Sequence, residues 1–149
     1  MRIAIAIDHA GVPLLEAVTQ AVIDAGHEPV DLGMRDDYPD TALDAGRAIA
    51  AGDVERAILV CGSGAGVAVA ASKLPGIRAS VCHDHYTAAQ CVQHDDCNVL
   101  CLGARVIGPA IAAELTDAFC GARFSGEDRH VRRLGKILKM ERDGMEAGP

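Results

Sequence analysis

Short apolar runs alternate with helix-patterned segments along this chain of 149 residues, and no other feature constrains the fold as strongly. The apolar runs typical of buried strands lie at residues 2–7, 29–32, 57–61, 77–82 and 98–102. The segments with helical spacing lie at residues 12–25, 41–51, 67–73, 86–93, 109–119 and 128–145. This alternation predicts a parallel sheet covered by helices on both faces. We therefore expect one α/β domain over residues 1–149, with three αβα layers, a five-stranded parallel Rossmann-like sheet and a C-terminal helix.

The composition argues against several other classes of protein. Half of the residues are hydrophobic, but only 3% are aromatic and none is Trp, so the aromatic pairs of a β-sandwich are missing. A net charge of −7 argues against broad nucleic-acid binding, which needs a basic face. No apolar run approaches the roughly 18 residues of a membrane span. The first residues resemble a strand and not a signal peptide, and the six cysteines include no Cys-x-x-Cys pair, so we expect a cytoplasmic protein with reduced thiols.

Reactive or ionisable side chains follow the predicted strands closely. In parallel α/β sheets, ligands bind beyond the carboxyl ends of the strands. The segments expected at this edge are Asp8–Gly11, Gly33–Asp40, Cys61–Gly66, Cys82–Tyr86 and Gly103–Arg105. We therefore expect the functional site among them.

The loop Cys61–Gly66 joins a buried strand to a helix and has glycine at every second position. Alternate glycines let successive N–H groups face one point, and such a nest binds a phosphate or an enediolate oxyanion. A tight strand–helix turn without a ligand is the other interpretation. The helix N-terminus favours a thiolate at Cys61, which could take a proton or attack an electrophile. Ser63 could orient a substrate hydroxyl or relay a proton. The loop lacks the Lys-Ser/Thr pair of a Walker motif and the spacing of a dinucleotide-binding motif.

Two further pairs of residues suggest anion and sugar binding. Asp8 and His9 directly follow the first predicted strand, where Asp8 could accept from sugar hydroxyls and His9 could donate to a phosphate. Asp8 could equally be a helix N-cap. Arg129 and Arg133 stand four residues apart and share a helix face, which suggests a phosphate clamp or merely a solvated charged face. This last helix could reach the cleft of a neighbouring subunit.

Three histidines carry weaker signals. His94 lies just past a predicted helix end, where it could be a general acid or base or an ordinary surface residue. His83 and His85 flank Asp84 and could chelate a metal, but no third and fourth ligands are apparent. Asp84 would serve equally well as the N-cap of the next helix.

Read together, these motifs resemble the type B ribose-5-phosphate isomerase family, which also includes galactose-6-phosphate isomerase subunits. The resemblance rests on Asp8-His9-Ala10-Gly11, Tyr38-Pro39-Asp40, Cys61-Gly62-Ser63-Gly64, Gly76-Ile77-Arg78-Ala79, the segments 93–100 and 103–108, and Arg129-His130 with Arg133. These stretches follow the family order from residue 3 to about residue 137. No single stretch is specific, but the ordered set is.

The resemblance implies an aldose–ketose isomerase that converts ribose 5-phosphate to ribulose 5-phosphate through a cis-enediolate, without cofactor or metal. It implies a homodimer or tetramer with shared active sites. Cys61 would move the proton between C1 and C2, Ser63 would assist exchange between the oxygens, and the loop with Gly62, Gly64 and Gly66 would hold the enediolate. His94 would open the sugar ring.

The resemblance also implies a set of substrate contacts. They would come from Asp8, His9, Tyr38, Asp95, Arg105, Arg129 and Arg133. Asp8 would hold hydroxyls, whereas His9, Arg129 and Arg133 would bind the phosphate. Arg105 is a further phosphate candidate, which the partner subunit could supply.

The chain departs from the family pattern at three places. Asp95 stands where Asn is usual, Glu127-Asp128 stand where a Gly-Gly pair is common, and Val67 occupies the position of the Glu base used by a second branch of the family. Asp95 leaves open the same chemistry on a four- or six-carbon sugar phosphate. Two different functions also stay open at this point: a non-catalytic sugar-phosphate-binding module, and a metal-dependent isomerase that uses His83, Asp84 and His85.

Overall fold

The computed structural model describes residues 1–148 and has the alternating strands and helices expected from the sequence. The strands are β1 (Arg2–Asp8), β2 (Glu28–Arg35), β3 (Arg56–Cys61), β4 (Ala79–Val81) and β5 (Val99–Gly103). The helices are α1 (Val12–Asp24), α2 (Tyr38–Ala50), α3 (Ala65–Ala71), α4 (His85–Asp95), α5 (Pro109–Gly121) and α6 (Asp128–Asp143), followed by a 3-10 turn at Gly144–Glu146. None of the helices in residues 1–148 has the length and apolar character needed to cross a bilayer.

The five strands form one parallel sheet in the order β2-β1-β3-β5-β4. This confirms the predicted α/β fold with its five-stranded parallel sheet. The order places β1 between β2 and β3, so the chain winds in opposite directions on the two sides of the β1–β3 pair. Ile7 of β1 pairs with Val60 of β3, so the carboxyl ends of these two strands lie side by side. Such a switch point opens a crevice for ligands.

The two faces of the sheet are covered by side chains of different size. On β1, Ile3, Ile5 and Ile7 face a core shared with α1, α4 and α5. Ala4 and Ala6 face the opposite core, which α2 and α3 cover largely with alanines. This alternation follows from the two-residue period of a strand.

Several element boundaries differ from the sequence prediction. The predicted loop from Gly33 is partly strand, because β2 continues to Arg35, which pairs with Asp8. Helix α2 begins at Tyr38 and not at 41, since Pro39 suits a first helical turn. Strand β4 has only three residues, fewer than the predicted run at 77–82.

Helix α4 is also longer than predicted, and this changes the position of His94. The Asp84 side chain accepts from Thr87 N and caps the helix, which therefore starts at His85. The helix ends where Asp96 adopts a left-handed conformation with φ of 51°. His94 therefore lies inside the last helical turn and not beyond it.

Candidate active site

A cleft of about 310 Å³ lies at the carboxyl ends of β1 and β3, at the switch point of the sheet. Its lining consists of Asp8, His9, Ala10, Tyr38, Cys61, Gly62, Ser63, Gly66, Arg105 and Val106. Most of the predicted site residues therefore meet in one place within one chain. Arg105 belongs to this chain's own cleft, although the resemblance allowed it to come from a partner.

Cys61 is the last residue of β3 and is only 4% exposed. The backbone N–H of Gly64 donates to its Sγ at 3.1 Å. A hydrogen bond to sulfur stabilises negative charge on it. Gly64 has φ of +78°, a conformation that favours glycine, and this conformation turns its N–H toward the sulfur.

Two glycines of the loop leave room for the side chains that flank it. A Cβ built on Gly62 would lie 3.3 Å from Nη1 of Arg105, so the guanidinium lies directly over the loop backbone. A Cβ on Gly66 would lie 2.9 Å from Cζ of Tyr38. The loop backbone is thus enclosed by a cation on one side and an aromatic ring on the other.

The Ser63 side chain is exposed at the loop tip. Its Oγ accepts from Ala65 N at 3.3 Å, so the hydroxyl hydrogen remains free to donate. This arrangement suits a group that exchanges protons with substrate oxygens.

Asp8 and His9 are both fixed by the turn after β1. Oδ1 of the buried Asp8 accepts from Ala10 N at 2.8 Å and from Gly11 N at 3.1 Å. Within residues 1–148, Oδ2 of Asp8 accepts no hydrogen bond and remains available to a ligand. Nδ1 of His9 lies 3.4 Å from the Asp36 carbonyl, and because a carbonyl only accepts, Nδ1 is the donor. This leaves Nε2 of His9 for a ligand.

A second group of predicted site residues lies outside this cleft, where α6 meets α4. We call these residues, His94, Arg129 and Arg133, the α4–α6 group, together with His130, which sequence reasoning does not propose as a site residue. The His94 and His130 rings stack with their centroids 4.0 Å apart. Arg129 donates to Glu127 Oε2 at 2.8 Å, whereas Arg133 has no ion pair within residues 1–148. Of the two arginines, Arg133 therefore has the more available charge.

Asp95 lies next to this group and outside the cleft. It lines a second cavity of about 520 Å³, together with Arg78, Cys97 and residues of α6. The carboxyl terminus of α6 is held near this cavity, because Glu141 accepts from Gly76 N at 2.8 Å. Asp95 does not contact the cleft of its own chain.

In the possible metal motif, the side chains of His83 and Asp84 both accept hydrogen bonds from other groups of the protein. Nε2 of His83 accepts from the backbone N–H of Gly103 at 3.0 Å, and burial lowers the pKa of His83. Asp84 accepts from both the N–H and the hydroxyl of Thr87, which lowers the pKa of Asp84. Among residues 1–148, no three His, Cys, Asp or Glu side chains are grouped as metal ligands would be. These contacts give the hypothesis of a metal-dependent isomerase no support.

All six cysteines are free, and most differ from Cys61 in their surroundings. Burial raises the pKa of Cys101 and raises that of Cys120 to about 12. The Cys82 and Cys91 sulfurs lie 4.0 Å apart, and the contact raises the pKa of Cys82. Such thiols remain protonated and unreactive near neutral pH. Cys61 is the one cysteine that both lines the cleft and accepts a hydrogen bond from a backbone N–H at its sulfur.

Comparison with known proteins decides the family. The family model described as Ribose/Galactose Isomerase matches residues 3–137. The chain belongs to this family. Ribose-5-phosphate isomerase B of Escherichia coli is 40% identical over 144 residues, which cover 94% of this chain and 96% of that protein. The D-erythrulose-4-phosphate isomerase of Pectobacterium atrosepticum is 38% identical, with coverages of 85% and 86%.

Solved structures of this ribose/galactose isomerase family have the same fold. The type B ribose 5-phosphate isomerase of Trypanosoma brucei superposes with a TM-score of 0.88 at 48% identity, covering 92% of this chain and 96% of that one. The resemblance inferred from the ordered motifs is thereby confirmed.

Two residues that sequence reasoning does not propose as site residues are Gln90 and His130. Gln90 lies one helical turn before His94, a spacing that could have suggested contact. His130 stands between Arg129 and Arg133, where a solvated helix face is the ordinary expectation. Its burial follows only from the packing of α6 on α4.

Proposed function

We propose that this member of the ribose/galactose isomerase family interconverts ribose 5-phosphate and ribulose 5-phosphate through a cis-enediolate, with Cys61 as the base. The observation that carries the proposal is the Cys61 sulfur, which lies in a cleft and accepts a backbone N–H of the adjacent glycine loop. The family membership and the names of the relatives support the same activity.

The residues of the cleft suit each step of a proton transfer between two carbons. The Cys61 thiolate takes the proton from C2 of the open-chain aldose, the C1=C2 double bond forms, and negative charge moves onto O1. Backbone N–H groups of the loop stabilise that oxygen. Ser63 assists transfer of the O2 proton to O1. The Cys61 thiol then returns its proton to C1, and O2 becomes the ketone oxygen.

Phosphate binding requires cations near the cleft. Arg105 can supply one from the same chain, and His9 lines the same cleft. Asp8 can hold substrate hydroxyls through its unused Oδ2, and Tyr38 can close the side of the cleft. All of these are proposed roles, supported by position.

We further infer a homodimer or a tetramer in which the α4–α6 group of one subunit completes the cleft of its partner. His94, Arg129 and Arg133 have chemistry that suits ring opening and phosphate binding, yet they do not line the cleft around Cys61 on their own chain. Helix α6 exposes most of its side chains, including Ile137 at 40% and Leu138 at 39%. We also infer a cytoplasmic location, since six free thiols suit a reducing compartment.

A second candidate changes the sugar and keeps the chemistry. Relatives named D-erythrulose-4-phosphate isomerase belong to the same set of matches as those named for ribose 5-phosphate. Asp95 replaces an amide with a carboxylate, which can only accept hydrogen bonds when ionised. If a partner's Asp95 contacts the sugar, it changes which hydroxyl pattern is preferred, and Asp95→Asn reverses that preference.

The test is proton exchange in deuterium oxide, with and without a chelator, on aldose phosphates of four, five and six carbons. We expect deuterium to enter C2 of ribose 5-phosphate and ribulose 5-phosphate to accumulate, unaffected by the chelator. Faster turnover of another sugar phosphate would assign that sugar instead. Binding without exchange would indicate the non-catalytic module, and exchange lost with the chelator would indicate the metal-dependent isomerase.

A further inference from the structure

The histidine pair of the α4–α6 group has an unusually constrained geometry. The rings of His94 and His130 stack at 4.0 Å with an angle of 24° between their planes. His130 is 1% exposed, while His94 remains half-buried. His94 thus has one face covered by an aromatic ring and an edge still accessible.

Two contacts fix His130 against the end of α4. Its Nδ1 lies 2.6 Å from Ser125 Oγ, and Ser125 N donates to the Gln93 carbonyl at 3.0 Å. The buried Nε2 of His130 has no hydrogen-bond partner within residues 1–148. Burying an N–H without an acceptor costs more free energy than burying a ring nitrogen lone pair without a donor. The favourable tautomer of His130 therefore has its proton on Nδ1.

A charge on His130 is disfavoured by its surroundings. Burial lowers the pKa of His130, and the neighbouring His94, Arg129 and Arg133 lower it further, against the opposite effect of Glu127. A neutral imidazole can stack on a second imidazole without charge repulsion. His130 therefore provides a flat and uncharged surface for the His94 ring.

The orientation of the proton on His94 is set by its other neighbour. Nε2 of Gln90 lies 2.8 Å from Nδ1 of His94. An amide nitrogen only donates, so Nδ1 of His94 accepts and carries no proton. The proton of neutral His94 is therefore on Nε2, the atom left for the sugar. A neutral imidazole that donates from Nε2 can act on a substrate oxygen.

We propose that Gln90 and His130 are positioning residues for His94, Gln90 fixing its tautomer and His130 fixing its ring plane. This inference rests on the proposed function, in which His94 opens the sugar ring. In that step the C1–O4 bond breaks, its electron pair goes to O4, and O4 takes the proton of His94 Nε2. Water reprotonates Nε2 and receives the proton of the O1 hydroxyl, as the C1=O bond forms.

The experiment separates ring opening from the chemistry of Cys61. Ribulose 5-phosphate has no free O5 with which to close a ring, so exchange of its C1 proton in deuterium oxide needs no ring opening. Turnover of cyclic ribose 5-phosphate does need it. Both rates are measured for the native protein and for the variants Gln90→Glu, His130→Ala and His130→Phe. Gln93→Glu is the matched control, because it introduces the same charge on the same helix at an exposed position.

Glu at position 90 accepts from Nδ1 and so places the proton of His94 there. We expect Gln90→Glu to lower ribose 5-phosphate turnover at least about 10-fold, with C1 exchange within about 2-fold of native. NMR of labelled imidazole nitrogens should show the His94 proton on Nε2 in the native protein and on Nδ1 in this variant. His130→Ala should lower turnover several-fold, and His130→Phe should restore it.

Three outcomes overturn the inference. The first is an equal fall of ribose 5-phosphate turnover and C1 exchange in Gln90→Glu, and the second is no fall in either rate. The third is an NMR result that places the His94 proton on Nδ1 in the native protein. If a His130 variant does not fold, its thermal unfolding curve shows this. The Gln90→Glu variant then decides whether the inference holds. Absence of both rates in the native protein would instead refute the proposed function itself.

Discussion

The cleft and the α4–α6 group differ in how the chain builds them. Cys61 and Asp8 end strands that pair side by side, and Ser63 and His9 follow within two residues. The parallel sheet alone brings these four residues together. The α4–α6 group depends instead on one helix packing against the end of another, at a distance from the strand ends.

The two regions also differ in what they can do alone. The cleft has a sulfur, a loop of N–H groups, a hydroxyl and a carboxylate, which together can move a proton between carbons. The α4–α6 group has two imidazoles and two guanidiniums but does not line the cleft that contains Cys61. Under the proposed function, the enediolate chemistry would therefore lie within one subunit, while ring opening and part of the phosphate binding would depend on assembly.

The largest expected effect comes from removing the sulfur of the cleft. Cys61→Ala should lower turnover by about 10⁴-fold, because the proposed mechanism assigns removal of the C2 proton to the Cys61 thiolate. The matched control is Cys101→Ala on the neighbouring strand, where the thiol is fully buried and lines no part of the cleft. It should keep native turnover and lose only stability. Steady-state kinetics and thermal unfolding of both variants provide the measurement, and near-native turnover in Cys61→Ala would refute the base assignment.

Mixing two inactive variants tests whether the regions meet across subunits. Cys61→Ala lacks the proposed base of the cleft, and His94→Asn lacks the imidazole proposed to open the sugar ring. After the two are unfolded and refolded together, random pairing gives one intact site in each mixed dimer, or about a quarter of native activity. Each variant refolded alone should stay inactive. Mixed dimers seen by mass spectrometry but without activity would mean that both residues act within one chain.

The difference between the regions also explains what could be predicted from sequence. The strand pattern fixes which loops lie at the carboxyl edge, so Asp8, Cys61 and Arg105 could be placed together without coordinates. The stack of His94 on His130 could not be, because it depends on the angle at which α6 packs. Local periodicity contains no information on that angle.

Smaller differences between the predicted and observed elements have local causes. The sequence pattern places Tyr38 in a loop, because the Pro of the first turn of α2 follows it and the polar stretch before it obscures the helix start. The same pattern places His94 beyond α4, because the left-handed Asp96 that ends the helix gives no sequence signal as strong as glycine would.

An intermediate effect is expected from Arg133 of α6, whose guanidinium forms no ion pair within residues 1–148. Arg133→Ala should raise KM for ribose 5-phosphate about 10- to 100-fold, since a charge-assisted hydrogen bond contributes about 1.5–3 kcal/mol. The control Arg132→Ala removes the same charge from the adjacent, exposed position of the same helix. Its KM should change little. A sugar without phosphate distinguishes the clamp from a general effect, and an equal rise of KM for both sugars would contradict it.

The smallest expected effect is on stability, and one of its sources is His130 of the α4–α6 group. The pKa of His130 is lowered from 6.5 by burial, and that of His83 is lowered in the same direction by the same cause. Below about pH 6.5 the unfolded chain therefore binds more protons than the folded one. The free energy of unfolding decreases as the pH falls from that value toward the lower pKa values of the folded state. We expect the thermal midpoint to drop by a few degrees between neutral pH and pH values near 5. His130→Phe cannot be protonated and should flatten this dependence, whereas Cys61→Ala should leave its slope unchanged. An equally steep slope in His130→Phe would mean that the buried imidazole of the α4–α6 group is not the group that senses pH.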